Sequence, residues 1–162
     1  MSAIYYGTPD WPGTEADFLM PENAVPVCSP TMRERLGKGR KIAPDAIARL
    51  PLLQQTTRPY AWRQWFEAQG IEAANDLNGP RFELFSMLAE AAMHDLGVAL
   101  IPPFLNRDEI GAGRLVALSD RTVPSDKAYY LIMPRQKTGS AALQRFREWL
   151  LATAAAYRDG AD

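Results

Sequence analysis

Between Arg81 and Pro102 the sequence leaves the backbone little freedom. Phe82 to Phe85 suits an extended strand, and Met87, Leu88, Ala91 and Ala92 then recur at helical spacing. Leu96 and Gly97 turn the chain into the apolar run Val98 to Ile101, which Pro102 stops. A strand, a helix and a buried strand in that order are the building block of a sheet with helices packed on it, so the fold class is α/β. The chain is long enough to complete such a layer, because 162 residues bury roughly 70% of the surface that the unfolded chain exposes. It needs no disulfide framework, and its one cysteine, Cys28, could not supply one.

Upstream, Ala3 to Tyr6 reads as a strand entering a loop at Gly7, Pro9, Pro12 and Gly13. Ala16 to Met20 and Ala24 to Cys28 form a pair of connected strands across Pro21, Glu22 and Asn23. Ser29 and Pro30 are the cap and first position of a helix that runs to Leu36 and ends at Gly37. A second helix runs from Pro44 and Asp45 through Leu50, and Leu52 to Gln55 is apolar enough for a buried strand. Trp62, Trp65 and Phe66 share one face of a helix over Ala61 to Gln69, closed by Gly70. That face reads either as core or as an aromatic partner surface. Downstream stand a helix over Phe104 to Ile110 and strands over Leu115 to Leu118 and Ala128 to Met133. The closing amphipathic helix is capped by Ser140 and docks through Leu143, Phe146, Leu150 and Ala154.

Eighteen basic residues against nineteen acidic leave a net charge of −1, so the whole molecule exerts no pull on nucleic acid or anionic lipid. The run Arg33, Arg35, Lys38, Arg40 and Lys41 is the one basic stretch, read as a solvated loop or as a contact for phosphate or an acidic partner. The opening residues have no basic segment leading into an apolar one, and no stretch reaches the length of a membrane span. With the unpaired cysteine, this places the expectation in the cytoplasm, with no membrane partner.

Catalytic chemistry is hard to build from what is present. His94 is the single histidine and falls at a helix C-terminus, where the dipole favours it. Cys28 lies on an apolar strand and reads as a small buried hydrophobe. Gly37 and Gly39 sit in the basic loop without the strand-before, helix-after setting of a phosphate cradle. No enzyme, no metal and no cofactor are expected. Polar groups at element ends, namely Tyr6, Thr8, Gln54, Gln55, Thr56, Thr57, Glu83 and Ser86, suit instead the lining of a binding cleft.

At these residues the chain resembles the effector-binding domain of LysR-type transcription regulators. The matching pieces are AIYYGTPDWPGTEADFLMPENAVPVCSP, LPLLQQTTRPYAWRQWFEAQG, GPRFELFSMLAEAAMHDLGVALIPPFLNRDEIGAGRLV, and YYLIMPR followed by FREWL. The subgroup most similar is that of glycine cleavage activators. The resemblance implies a periplasmic-binding-protein-like (type II) fold of two lobes around a small-molecule cleft. Residues 26–126 would form a complete second lobe, and residues 1–25 with 127–162 a partial first one.

It implies effector contacts at Tyr6, Gly7 and Thr8 and at Phe82, Glu83 and Phe85, with Gln55 and Thr57 nearby. The effector would be a small molecule such as an amino acid or organic acid. Asp95 stands where the family commonly has glycine, a position that aspartate tolerates better than most residues. Only Met1 and Ser2 precede the first strand, so the resemblance further implies a domain truncated before its winged helix-turn-helix and reaching DNA only indirectly. A first lobe short of strands would pair as a homodimer or domain-swapped oligomer. The competing expectation is a stand-alone protein-protein interaction module that pairs with full-length regulators and binds no ligand.

Overall fold

The computed structural model describes residues 2–39, 41–135 and 140–160. Arg40 of the basic run, and residues 1, 161 and 162 of the expected first lobe, lie outside the described residues. The backbone gathers into two compact units, one from Met1–Glu22 and Pro124–Asp162, the other from Asn23–Val123.

The first unit is an antiparallel sheet in the order β1-β8-β2, with β1 at Ala3–Gly7, β2 at Thr14–Pro21 and β8 at Ala128–Pro134. Helix α6, Ala141–Arg158, lies against it. Strand alternation sends Leu131 and Met133 of β8 toward the helix, where they meet Leu143, Leu150, Leu151 and Ala154. A bulge between Phe18 and Met20 adds Leu19 to this core. Arg147 clamps the helix to β2, its Nη2 donating to Asp17 Oδ1 at 2.8 Å and its Nε lying 2.7 Å from Asp17 Oδ2. The expected docking face is therefore corrected at Phe146, which is 41% exposed. Arg147 takes the inward position between Leu143 and Leu150, and Phe146 turns outward beside Trp149, ring centroids 6.0 Å apart.

The second unit is built on β3, Val25–Cys28, whose four residues are all buried. It pairs antiparallel with β6, Ala99–Ile101, and with β7, Val116–Ala117. β2 and β3 are the two connected strands expected here, and each pairs with a different partner, β2 with β8 and β3 with β6 and β7. A strand buried along its whole length needs neighbours that are buried too, and Ala99–Ile101 meets that need where the alternating β2 does not.

Ser29 caps α1, Pro30–Arg35, by accepting from the Met32 N–H at 3.0 Å, with Pro30 in the first turn. Helix α2 is confined to Pro44–Ile47. In α3, Ala61–Ala68, the rings of Trp62, Trp65 and Phe66 are each 1% exposed and packed on one another. The Trp62 indole N–H donates to the Leu53 carbonyl at 2.9 Å, and that of Trp65 to the Arg121 carbonyl at 2.9 Å. The aromatic face is core and not a partner surface.

The expected strand over Leu52–Gln55 narrows to β4, Gln54–Gln55, which runs parallel to β5, Arg81–Phe82. Leu52 continues the line through a single parallel bridge to Val98. Phe85 is corrected from extended to helical: α4 spans Phe85–Met93, and its buried side is Leu88, Ala89, Ala91 and Ala92. Met87 of the expected stripe faces outward, and Ala89 takes its place on the covered face beside Leu88, Ala91 and Ala92. The expected helix over Phe104–Ile110 is a 3-10 turn, Pro103–Asn106, followed by α5, Arg107–Gly111.

Candidate functional site

Two glycines let three chain segments meet. A Cβ on Gly97 would stand 2.5 Å from the Pro51 carbonyl oxygen, and one on Gly79, whose φ is +123°, would stand 2.0 Å from that of Leu52. Only glycine allows both approaches. The segment from Leu52 to Gln55 is then held on both sides: the Leu53 N–H donates to Val98 at 2.9 Å, that of Gln54 to Pro80 at 2.8 Å, and that of Thr56 to Phe82 at 2.9 Å.

Gln55 leaves this strand with a buried carboxamide whose nitrogen donates to the Glu83 carbonyl at 3.0 Å and to Thr57 Oγ1 at 3.2 Å. The amide orientation follows from chemistry, since the Glu83 carbonyl can only accept. Gln55 Oε1 is buried and has no donor. Thr57 Oγ1 also accepts from Arg58 Nη1 at 3.1 Å, and the Arg58 guanidinium stands 5.7 Å from the centre of the Phe85 ring. Phe85 opens α4, whose N-cap, Leu84, is extended and supplies no side-chain bond to the first-turn N–H groups. Gln55, Thr57, Phe82, Glu83 and Phe85 thus share one neighbourhood at the start of α4.

Tyr6, Gly7 and Thr8 gather in the first unit at the end of β1. The Tyr6 ring lies 5.2 Å from that of Tyr129, and Gly7 pairs with Ala128. Tyr129 in turn donates its hydroxyl to Glu22 at 2.5 Å. Gln54 is a brace: its nitrogen donates to the carbonyls of Asp76 at 3.1 Å and Asn78 at 2.8 Å, on a loop that the Arg63–Asp76 ion pair also holds. Arg58 was not singled out from the sequence. The signal that could have found it is a cation directly after Thr57, in the connection from β4 to α3.

The remaining reactive side chains are tied into structure. Burial pushes the Cys28 thiol up to about 11, with Arg33 opposing and Asp95 adding smaller effects. His94 pairs loosely with Glu90 one turn earlier, at 3.6 Å. In the basic run, Arg33 donates to the carbonyls of Gly37 and Gly39, Arg35 pairs with Asp95, and Lys41 pairs with Asp120 at 2.9 Å. Arg33 thus closes the loop on itself, while Arg35 and Lys41 tie its two ends to distant carboxylates. Among the described residues no grouping of His, Cys, Asp and Glu could hold a metal ion, and no helix is long and apolar enough to cross a membrane.

Comparison with known proteins supplies a context for this geometry. The family model described as LysR substrate binding domain matches residues 2–155. The glycine cleavage system transcriptional activator of Escherichia coli K12 is 34% identical over 157 residues, which is 97% of this chain and 50% of that protein. The HTH-type transcriptional regulator TrpI of Pseudomonas aeruginosa is 40% identical over 116 residues, 70% of this chain and 39% of that protein. Among solved structures, the effector domain of the regulator AmpR of Pseudomonas aeruginosa superposes with a TM-score of 0.85 at 27% identity, covering 98% of this chain and 74% of that one. The chain spans about half the length of the curated relatives it matches.

Proposed function

This chain belongs to the LysR substrate-binding domain family, and from that membership we propose that it senses a small-molecule effector on behalf of transcription control. The observation that carries the reading is the neighbourhood at the start of α4. Gln55, Thr57 and Glu83 are joined there by hydrogen bonds next to Phe82 and Phe85, in a chain whose family is defined by substrate binding. Tyr6, Gly7 and Thr8, at the end of β1 in the first unit, are proposed effector contacts in their own right. The effector is a small metabolite such as an amino acid or organic acid, and operator DNA is engaged through other parts of a regulator. Amide NMR spectra recorded across a metabolite panel test this. The expected result is shifts concentrated at residues 55, 57 and 82–86, weakened in a folded Phe85→Ala variant. A panel that moves none of these resonances argues for the second reading below.

Subunit association belongs to the same proposal. Strand β1 pairs on one side only, with β8, among the described residues, and sheet edges of that kind recruit further strands. A homodimer or domain-swapped assembly follows, and a monomer by light scattering at micromolar concentration would count against it. The exposed pair Phe146 and Trp149 favours a second reading, an interaction module that pairs with full-length regulators without binding ligand. Absence of any ligand-induced thermal shift, together with binding of a purified full-length regulator, would select it.

A further inference from the structure

The site at the start of α4 combines an unspent acceptor with unspent donors, and that combination names a ligand class. The donors are the first-turn N–H groups of α4, which no side chain caps and whose dipole carries partial positive charge. The Arg58 guanidinium over the Phe85 ring adds a second positive feature at the same helix end. Two like-signed features converging there favour an anion. The acceptor is Gln55 Oε1, which is buried without a donor although the nitrogen of the same carboxamide is fully engaged by Glu83 and Thr57. A buried acceptor without a donor is unfavourable, so a ligand that brings a donor to it gains more than one that does not.

We propose that the effector is a carboxylate bearing a hydrogen-bond donor on the adjacent carbon, an α-amino or α-hydroxy acid. Its carboxylate lies on the N–H groups that open α4, and its ammonium or hydroxyl donates to Gln55 Oε1. The approach runs past Thr57, whose exposed side chain is bonded to that carboxamide. The inference rests on the effector-sensing reading above.

Matched triads separate the two ideas: alanine, lactate and propionate; phenylalanine, phenyllactate and phenylpropionate; glutamate, 2-hydroxyglutarate and glutarate. Each is titrated into the 15N-labelled protein while the amides of residues 55 and 83–87 are followed. In at least one triad, the amino or hydroxy member should bind about tenfold or more tightly than the member lacking the donor. In a Gln55→Met variant shown to be folded, that preference should vanish while carboxylate binding persists. If the plain carboxylates bind as tightly as their partners, the ligand class is wrong and the site stands. If no member of any triad moves these amides, while a neutral metabolite does, the class is again overturned and effector sensing survives. If neither carboxylates nor any other metabolites move them, both readings fall.

Discussion

Ser29 donates its hydroxyl proton to Asp95 Oδ1 at 2.7 Å, joining the N-cap of α1 to the residue just past the end of α4. The same oxygen accepts from the Met32 N–H, so one buried hydroxyl both starts a helix and anchors the exit of another. Asp95 is the only non-glycine among the described residues with positive φ, at 65°. Its carboxylate offsets the conformational penalty by its bonds to Ser29 and Arg35. Substitutions should therefore rank by how many of these features they keep. Asp95→Asn should be mildest, Asp95→Gly intermediate because it relieves the backbone but loses the bond, and Asp95→Ala worst. Urea midpoints give the order, and an Ala variant as stable as the Asn variant would contradict it.

The same bond fixes a pH dependence. The Ser29 hydroxyl, and after it Arg35, hold the Asp95 carboxyl below its ordinary value of 3.8. At pH near that value the unfolded chain binds the proton more readily than the folded one, so stability rises with pH. The contribution is complete above about pH 5 and is lost as pH falls through the folded value. Denaturation curves between pH 6 and pH 2.5 should show Asp95→Asn losing less stability than the parent chain over that interval. Equal losses would show that the bond is not made in solution.

Gly79 and Gly97 admit the close packing of the segment from Pro51 to Gln55. Gly79→Ala places a methyl against the Leu52 carbonyl at a left-handed backbone position and should destabilise by about 2 kcal/mol or more. Gly97→Ala should cost less, because its neighbours include the movable Leu53 side chain, although the Pro51 carbonyl still has to shift. Denaturant unfolding measures both. Since the strand they confine carries Gln55, the amides at 83–87 should shift in either variant without any ligand.

Cys28 is fully buried, with its thiol pushed up to about 11. It should stay silent toward Ellman's reagent at pH 8 in the native protein and react fully once the chain is unfolded. Rapid native-state labelling would mean that β3 opens locally.

Phe146 and Trp149 are exposed on α6, so replacing both with serine should change stability by no more than about 0.5 kcal/mol. The same double variant should weaken subunit association or regulator binding if this face is used. Sedimentation measured beside thermal unfolding separates the two effects.

The sequence was most informative where one physical requirement dominates. Ser29-Pro30 announced a helix start, the Trp62/Trp65/Phe66 spacing a helix face, and the apolar run ending at Ile101 a buried strand. It was least informative where a choice depends on distant partners. Nothing local says that β2 and β3 part company, because the strands that claim them arrive about a hundred residues later in β8 and about seventy later in β6. Phe146 lost its expected place on the docking face because the carboxylate of Asp17, on another element, favours the cation of Arg147 inside. At the candidate site, the residue types at Gln55, Thr57 and Glu83 hinted at polar lining. Their connection depends on the parallel pairing of β4 with β5, which short-range patterns do not encode.

Pro21 and Ala128 form a cross-strand pair at the end of the β2–β8 ladder, so the chain leaves the first sheet and re-enters it through adjacent positions. Everything between, Asn23–Val123, is in effect an insertion with neighbouring ends. During synthesis β2 must wait for that whole insertion to emerge before its partner exists, while the insertion carries all the strands it needs for its own sheets. The order of assembly is thereby built into the connectivity: the middle of the chain matures first, and the two flanks close behind it.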